Sequence, residues 1–437
     1  MKSNVWHPNT QMSEWKDFPE ITNAKGVWLI DKHQKKLLDG VGSMWCNVWG
    51  HSKRELVNSI SKQMKKLQHS SMFNLTNEPV EKLAKKLITL SPGMNRVFFS
   101  DNGSTAMEIA IKIALQYWSN LGIKKTKIAT LENGYHGDTF GSMSVGYVPE
   151  FFINFKSKLF PTIRFPVPNK YRIPKNYSLT DYQNICLDKI EKKISNNDSI
   201  AAFVMESGAQ MAGGVIIYPK NFQKKINKIC KDNDVLFVLD EIATGFGRLG
   251  SMIEYENQHC NPDIVSFGKM LTGGYLTFAA TLTTNKIYNS FLDQFNNMKH
   301  LFHGHTYTGN PIAASVSLTN LQLYEKHNLI QKVKRKSLIF QKRANEFLDL
   351  ELVGNVRTKG MVMGIELVSD KKRKIPLKTR KSINKLVFEE GRKHNVYFRT
   401  LGNIVMLVPP LAISSNEINF LIDGTIKTIK GVTSELK

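Results

Sequence analysis

A chain of 437 residues with a formal net charge of +23, 41% hydrophobic and 22% charged, is long enough for a large core and more than one domain. No apolar run reaches the roughly 18 residues of a membrane span. The start, MKSNVWHPNTQMSEWKDF, has no secretory apolar core, and Cys46, Cys186, Cys230 and Cys260 lack metal-ligand spacing, so a cytoplasmic protein with no metal and no membrane contact is expected.

The lysines are spread along the whole chain. Their densest cluster, Lys371-Lys372-Arg373-Lys374, is short and carries no interleaved aromatics, which argues against a nucleic-acid platform. The strand-like VWLID and KLLDG open the chain, and residues 1–55 are expected to pack with a small C-terminal domain. RVFFS (96–100) reads as a buried strand leading into DNGSTAMEIAIK (101–112). There Ala106, Ile109, Ala110, Ile113, Ala114 and Tyr117 share one helical face. Gly103 and Ser104 thus stand at a helix N-terminus, which can hold a phosphate through free N–H groups or can be a simple cap.

KIATL (127–131) reads as a second strand, and Tyr135 follows in LENGYHGDTFG. The stretch 145–185, rich in Pro, Phe, Tyr and Asn, reads as an irregular excursion. AAFVM (201–205), VLFVL (235–239) and DIVSF (263–267) are nearly continuous apolar runs, the pattern of a parallel sheet covered on both faces. Asp240 and Glu241 end the second of these, at the edge where open parallel sheets bind ligands. Gly245-x-Gly247-x-x-Gly250 has the spacing of a dinucleotide fingerprint. However, DEIAT separates strand from glycines and SMIEYENQHCNP makes a poor helix, so a tight, mobile turn is expected, with a nicotinamide oxidoreductase as an alternative.

In IVSFGKMLTGG (264–274), Lys269 follows a core strand. Desolvation there penalises the ammonium and favours a nucleophilic amine. Such an amine can form a Schiff base with pyridoxal phosphate. That cofactor then needs a phosphate cradle, an acid for its pyridine nitrogen and a flat packing partner, for which Gly103-Ser104, Asp240 and Tyr135 are candidates. Beyond residue 328, a lysine-rich helical pattern (331–349) precedes LVGNVRT, MVMGIEL, VYFRT and IVMLVPP, which read as a smaller α+β domain over 329–437 beside a large domain over 56–328.

The motifs LLDGVGSMWCNVWGH, SDNGSTAMEIAIKIALQYW, NGYHGDTFGSMSVG, DEIATGFGR, GKMLTGG, FHGHTYTGNP and FRTLG together resemble the class III aminotransferases over nearly the whole chain. The resemblance implies an α/β fold of type I, with a mostly parallel seven-stranded sheet, and pyridoxal 5'-phosphate as cofactor. Lys269 would carry the cofactor and shuttle the proton. Asp240 would face the pyridine nitrogen, Glu206 the ring hydroxyl, Tyr135 and Ile242 the two ring faces, and Gly103 and Ser104 the phosphate. His305 and Thr306 would reach the phosphate from the second subunit of a homodimer. Arg399 would clamp the substrate carboxylate, and Met44, Trp45 and Gly304 would line the substrate channel.

Within the family the motifs are most similar to the branch of biotin biosynthesis that converts 8-amino-7-oxononanoate to 7,8-diaminononanoate with S-adenosylmethionine as amino donor. L-lysine as donor, or another ω-aminotransferase, are the alternatives. The chain departs from that branch at Asn9, where an aromatic is usual, at Met44, where a second tryptophan is frequent, and at His305 and Ser207, where proline is usual.

Overall fold

A computed structural model describes residues 3–15 and 18–436. Its centre is a seven-stranded sheet. Across the sheet the strands run Arg96–Ser100, Ala279–Thr283, Ile264–Phe267, Leu236–Asp240, Ile200–Glu206, Lys127–Leu131 and Ile163–Phe165. Only Ala279–Thr283 runs against its neighbours.

The alternation of side chains along each strand explains why the middle of the sheet reads as continuously apolar. Phe203, Met205, Phe237 and Leu239 point into one core, while Ala202, Val204, Leu236 and Val238 point into the other. The second core is closed by Ile109, Ala110, Ile113 and Ala114 of the helix Gly103–Asn120. Asn102 caps that helix by accepting from Thr105 N–H at 3.1 Å, with the Thr105 hydroxyl reaching back to the Asn102 backbone.

Two strands of the central sheet lay outside the sequence expectation. Ala279–Thr283 is short, rich in Ala and Thr, and follows a glycine-containing loop. Ile163–Phe165 lies inside the stretch 145–185, which is therefore less irregular than expected. It also begins the helix Leu179–Ser195, set off by a capping box between Ser178 and Asp181. The lysine-rich helix runs Leu329–Arg343 and then tightens to a 3-10 turn at Ala344–Phe347, shorter than 331–349.

The turn Gly245-x-Gly247-x-x-Gly250 is tight, as expected, and it is buried in the core. Arg248, 0% exposed, donates from Nη1 to Pro409 O at 2.7 Å and locks the turn beneath the C-terminal strands.

The strands Ile21–Lys25, Trp28–Asp31 and Lys36–Asp39 form a meander whose last strand pairs in parallel with Val396–Tyr397. Beside it lies an antiparallel sheet of Val353–Lys359, Val362–Asp370, Ile404–Leu407 and Arg399–Leu401. All four cysteines are free thiols. Among the described residues no helix is long and apolar enough to cross a membrane, and no group of His, Cys, Asp and Glu could hold a metal ion.

Candidate active site

The strand Leu236–Asp240 extends one residue past the apolar run, so Asp240 sits in register with Glu206 on one side and Ser266 on the other. Both carboxylates are buried at the C-terminal edge of the sheet. Asp240 Oδ1 accepts from Ile242 N–H at 2.9 Å, and Oδ2 lies 2.8 Å from His136 Nδ1. Glu206 accepts from the backbone N–H groups of Met211 at 2.8 Å and Tyr135 at 3.3 Å. Burial, reinforced by Asp240, pushes Glu206 up to about 7, against the opposing pull of His136.

His136 reads in the sequence as a structural hydrogen-bonder. Its place against Asp240 ties it to the candidate site, a contact that strand and helix patterns do not reveal. The ring is held by close packing, since a Cβ at Gly146 would come within 2.9 Å of His136 Cδ2.

Lys269 follows Gly268 at the end of Ile264–Phe267, with φ at +41°, a region that non-glycine residues seldom occupy away from functional sites. Desolvation lowers its pKa, opposed by Asp240, Glu206 and Cys46. Its Nζ stands 5.4 Å from the centre of the Trp45 ring.

The cradle is built at the start of Gly103–Asn120. Asn102 occupies the Thr105 N–H, while those of Gly103 and Ser104 have no partner among the described residues. A Cβ at Gly103 would stand 2.8 Å from Ile242 Cγ2, so glycine lets the Ile242 side chain close over the helix start. The Ser104 hydroxyl accepts from Asp138 N–H at 3.3 Å, and Asp138 in turn accepts from the Tyr135 hydroxyl at 3.1 Å. Burial and Asp138 together raise the Tyr135 pKa above that of a free phenol.

Gly137 has φ at +124°, and a Cβ there would overlap Ser104 Oγ. Gly137→Ala is therefore expected to weaken cofactor binding by roughly tenfold or more, through strain and a displaced Ser104. Titration of the apoenzyme with cofactor, followed by absorbance, checks this.

Two cavities meet here. One, of about 660 Å³, is lined by Gly103, Ser104, Tyr135, Glu206, Asp240, Ile242 and Lys269. The other, of about 620 Å³, is lined by Asn9, Met44, Asp138, Glu150 and Arg399, and it shares Trp45, Tyr135 and Lys269 with the first. Among the described residues the Arg399 side chain has no ion pair or hydrogen bond. Gly304, His305 and Thr306 line neither cavity of this chain. His305 Nδ1 lies 3.3 Å from Asp101 Oδ2, Thr306 is exposed, and Gly304 packs against Phe73, whose Cζ would be 2.6 Å from a Cβ there.

Met44 and Trp45 reach the second cavity from an unusual backbone. Gly42, Ser43, Met44 and Trp45 have φ of +53°, +47°, +68° and +72°, a left-handed turn of four consecutive residues. Each non-glycine residue in that region costs roughly 1–2 kcal/mol, so the turn stands only because its surroundings hold it.

The donor set fits pyridoxal phosphate: free N–H groups at a helix start for the phosphate, a buried acid held by two donors, a desolvated lysine, and apolar and aromatic side chains between them. The sequence profile described as Aminotransferase class-III matches residues 12–429. The chain belongs to this family and is a pyridoxal-phosphate-dependent transaminase.

More particularly, it is 40% identical to the adenosylmethionine-8-amino-7-oxononanoate aminotransferase of Geobacter sulfurreducens, over 99% of this chain and 97% of that protein. The crystal structure of the same-named enzyme from Methanocaldococcus jannaschii superposes with a TM-score of 0.92 at 40% identity, covering 98% of this chain and 97% of that one. An omega transaminase from Pseudomonas jessenii in complex with PMP superposes with a TM-score of 0.93 at 28% identity, covering 98% of this chain and 96% of that one.

Proposed function

We propose that this enzyme transfers an amino group to 8-amino-7-oxononanoate, giving 7,8-diaminononanoate for biotin biosynthesis, with S-adenosylmethionine as the donor. The observation that carries the reading is Arg399, which has no ion pair or hydrogen bond among the described residues, in a cavity shared with Lys269, Trp45 and Tyr135. The acceptor is an apolar chain ending in a carboxylate, and a guanidinium fork pairs both of its oxygens.

The bound cofactor supplies an electron sink for the substrate carbon that loses its proton. Gly103 and Ser104 bind its phosphate. Asp240, fixed by His136 and the Ile242 N–H, holds the proton at the pyridine nitrogen, and Glu206 meets the ring hydroxyl. Tyr135 and Ile242 pack on the two ring faces. Lys269 Nζ anchors the cofactor and moves the proton at the substrate's reacting carbon. The donor and the acceptor use the same cavity in turn, one half-reaction each.

The same reading makes the enzyme a cytoplasmic homodimer in which His305 and Thr306 reach the partner's phosphate site and Gly304 the partner's substrate channel. Exposed Phe73, Phe302 and Tyr307 near these residues support a subunit contact. Residues 56–328 then form the cofactor-binding domain, with 1–55 and 329–437 forming the smaller one.

A second reading, L-lysine as the donor, is favoured by the wall of the second cavity. Asn9 and Met44 offer no aromatic face to a sulfonium, while Asp138 and Glu150 suit an ammonium. Mixing the cofactor-loaded enzyme separately with S-adenosylmethionine and L-lysine, and following the cofactor absorbance, decides between them. Decay with S-adenosylmethionine alone is expected. Decay with lysine alone would transfer the enzyme to the second reading, and decay with neither would remove both donors.

A further inference from the structure

The left-handed turn Gly42–Trp45 closes its own backbone bonds, Trp45 N–H to Val41 O at 2.8 Å and Cys46 N–H to Gly42 O at 3.1 Å, and a buried carboxylate holds it from inside the fold. Asp39, 0% exposed, accepts from Ser43 N–H at 3.0 Å through Oδ1 and from the Ser43 hydroxyl at 2.8 Å through Oδ2. His51 Nε2 lies 3.2 Å from the same Oδ2. Both carboxylate oxygens are therefore engaged, and two of the three contacts fall on the first non-glycine residue of the strained stretch.

Asp39 itself is fixed, since its strand pairs with Tyr397 and its N–H donates to Val27 O at 2.8 Å. On the far side the turn has no room to shift, because a Cβ at Gly42 would stand 2.7 Å from Val408 O. The outcome of this arrangement is the placement of two side chains: Trp45, 5% exposed and facing both cavities, and Met44, 40% exposed on the second cavity alone.

We infer that Asp39 is a positioning residue for substrate recognition: through Ser43 it holds the left-handed turn that sets Met44 and Trp45 in the substrate cavity. It touches neither cavity and takes no part in proton transfer. Its effect falls on the fit of the substrate, because a wall displaced by a fraction of a side chain spoils alignment while leaving the cofactor's own contacts at Gly103, Ser104 and Asp240 in place. The substrate readout rests on the acceptor assignment above; the conformation of the turn does not.

The test compares D39N, S43A and the double variant D39N/S43G. In D39N an amide NH2 replaces the oxygen that accepts from the Ser43 hydroxyl. The acceptor KM is expected to rise roughly tenfold, with kcat within about twofold and cofactor affinity unchanged. S43A, which loses only the hydroxyl contact, moves KM the same way by less and carries the test if D39N does not fold. Glycine occupies the left-handed region without penalty, so S43G on the D39N background is expected to recover most of the lost KM.

A role in overall stability alone would lower the thermal midpoint and the active fraction, hence the apparent kcat, while leaving the acceptor KM unchanged. An unchanged KM, an equal loss of cofactor affinity, or no recovery in the double variant overturns the inference. A wild-type enzyme that fails to process the acceptor counts against the substrate reading only. A crystal structure of D39N then decides the inference directly, and retention of positive φ at residues 43–45 overturns it.

Discussion

Lys269→Ala abolishes turnover and removes the absorbance of the lysine-bound cofactor. The lysine combines two duties that no neighbour can assume. Among the described residues it is the only amine whose desolvation and position at the sheet edge bring it beside Asp240, Glu206 and Trp45. On the proposed function it is also the group that meets the reacting carbon, and desolvation lowers its pKa, the direction that general acid–base catalysis requires. His136 cannot replace it, because its Nδ1 is committed to Asp240 and its ring is 2% exposed. A loss of at least roughly 10⁴-fold in kcat is expected, measured in each half-reaction by the cofactor spectrum. Turnover within tenfold of wild type would remove Lys269 from its central place.

Arg399→Ala separates the two half-reactions. Among the described residues the guanidinium has no ion-pair or hydrogen-bond partner, so truncation breaks no such contact and the loss reports on the substrate. A charge-assisted contact with a carboxylate contributes about 2 kcal/mol, or roughly 30-fold in kcat/KM. That loss is expected with 8-amino-7-oxononanoate, and a smaller one with S-adenosylmethionine. Pre-steady-state rates for each substrate check this, and equal losses in both would end the assigned role. Arg399→Lys is expected to recover only part of the loss, since an ammonium cannot pair both oxygens in one plane.

Much of the fold is legible in the sequence because its central strands are buried on both faces and so read as unbroken apolar runs. Leu236–Asp240 and Ile200–Glu206 are of this kind. Ala279–Thr283 is not: its two alanines carry weak strand preference, and its neighbours impose the extended conformation. Ile163–Phe165 is three residues long, too short for any periodicity, and depends on the ladder offered by Lys127–Leu131.

At the candidate site, Lys269, Asp240 and the Gly103-Ser104 turn stand out in the sequence because each violates the local pattern: a cation, an acid and small residues where a core element ends. The place of His136 against Asp240 is a product of tertiary packing, and that of Asp39 beneath Ser43 follows from a left-handed turn that no periodicity announces. Nothing in NGYHGD or KLLDG distinguishes a histidine or aspartate that supports the site from one that only satisfies a loop. Gly304, His305 and Thr306 line neither cavity of a single chain, so the roles proposed for them require a second subunit.

The pairing of Leu38 with Val396 has a consequence for how the protein is made. On a ribosome the strand Lys36–Asp39 emerges early, yet its parallel partner is synthesised only near the end of the chain. At roughly 5–20 residues per second, that strand edge, with the turn it carries, waits for tens of seconds without its neighbour. The central sheet, whose strands all lie between Arg96 and Thr283, can assemble in the meantime. The wall carrying Met44, Trp45 and Arg399 thus closes only after the central sheet can assemble, and on the proposed function a nascent chain carries its cofactor-binding residues well before it can select a substrate.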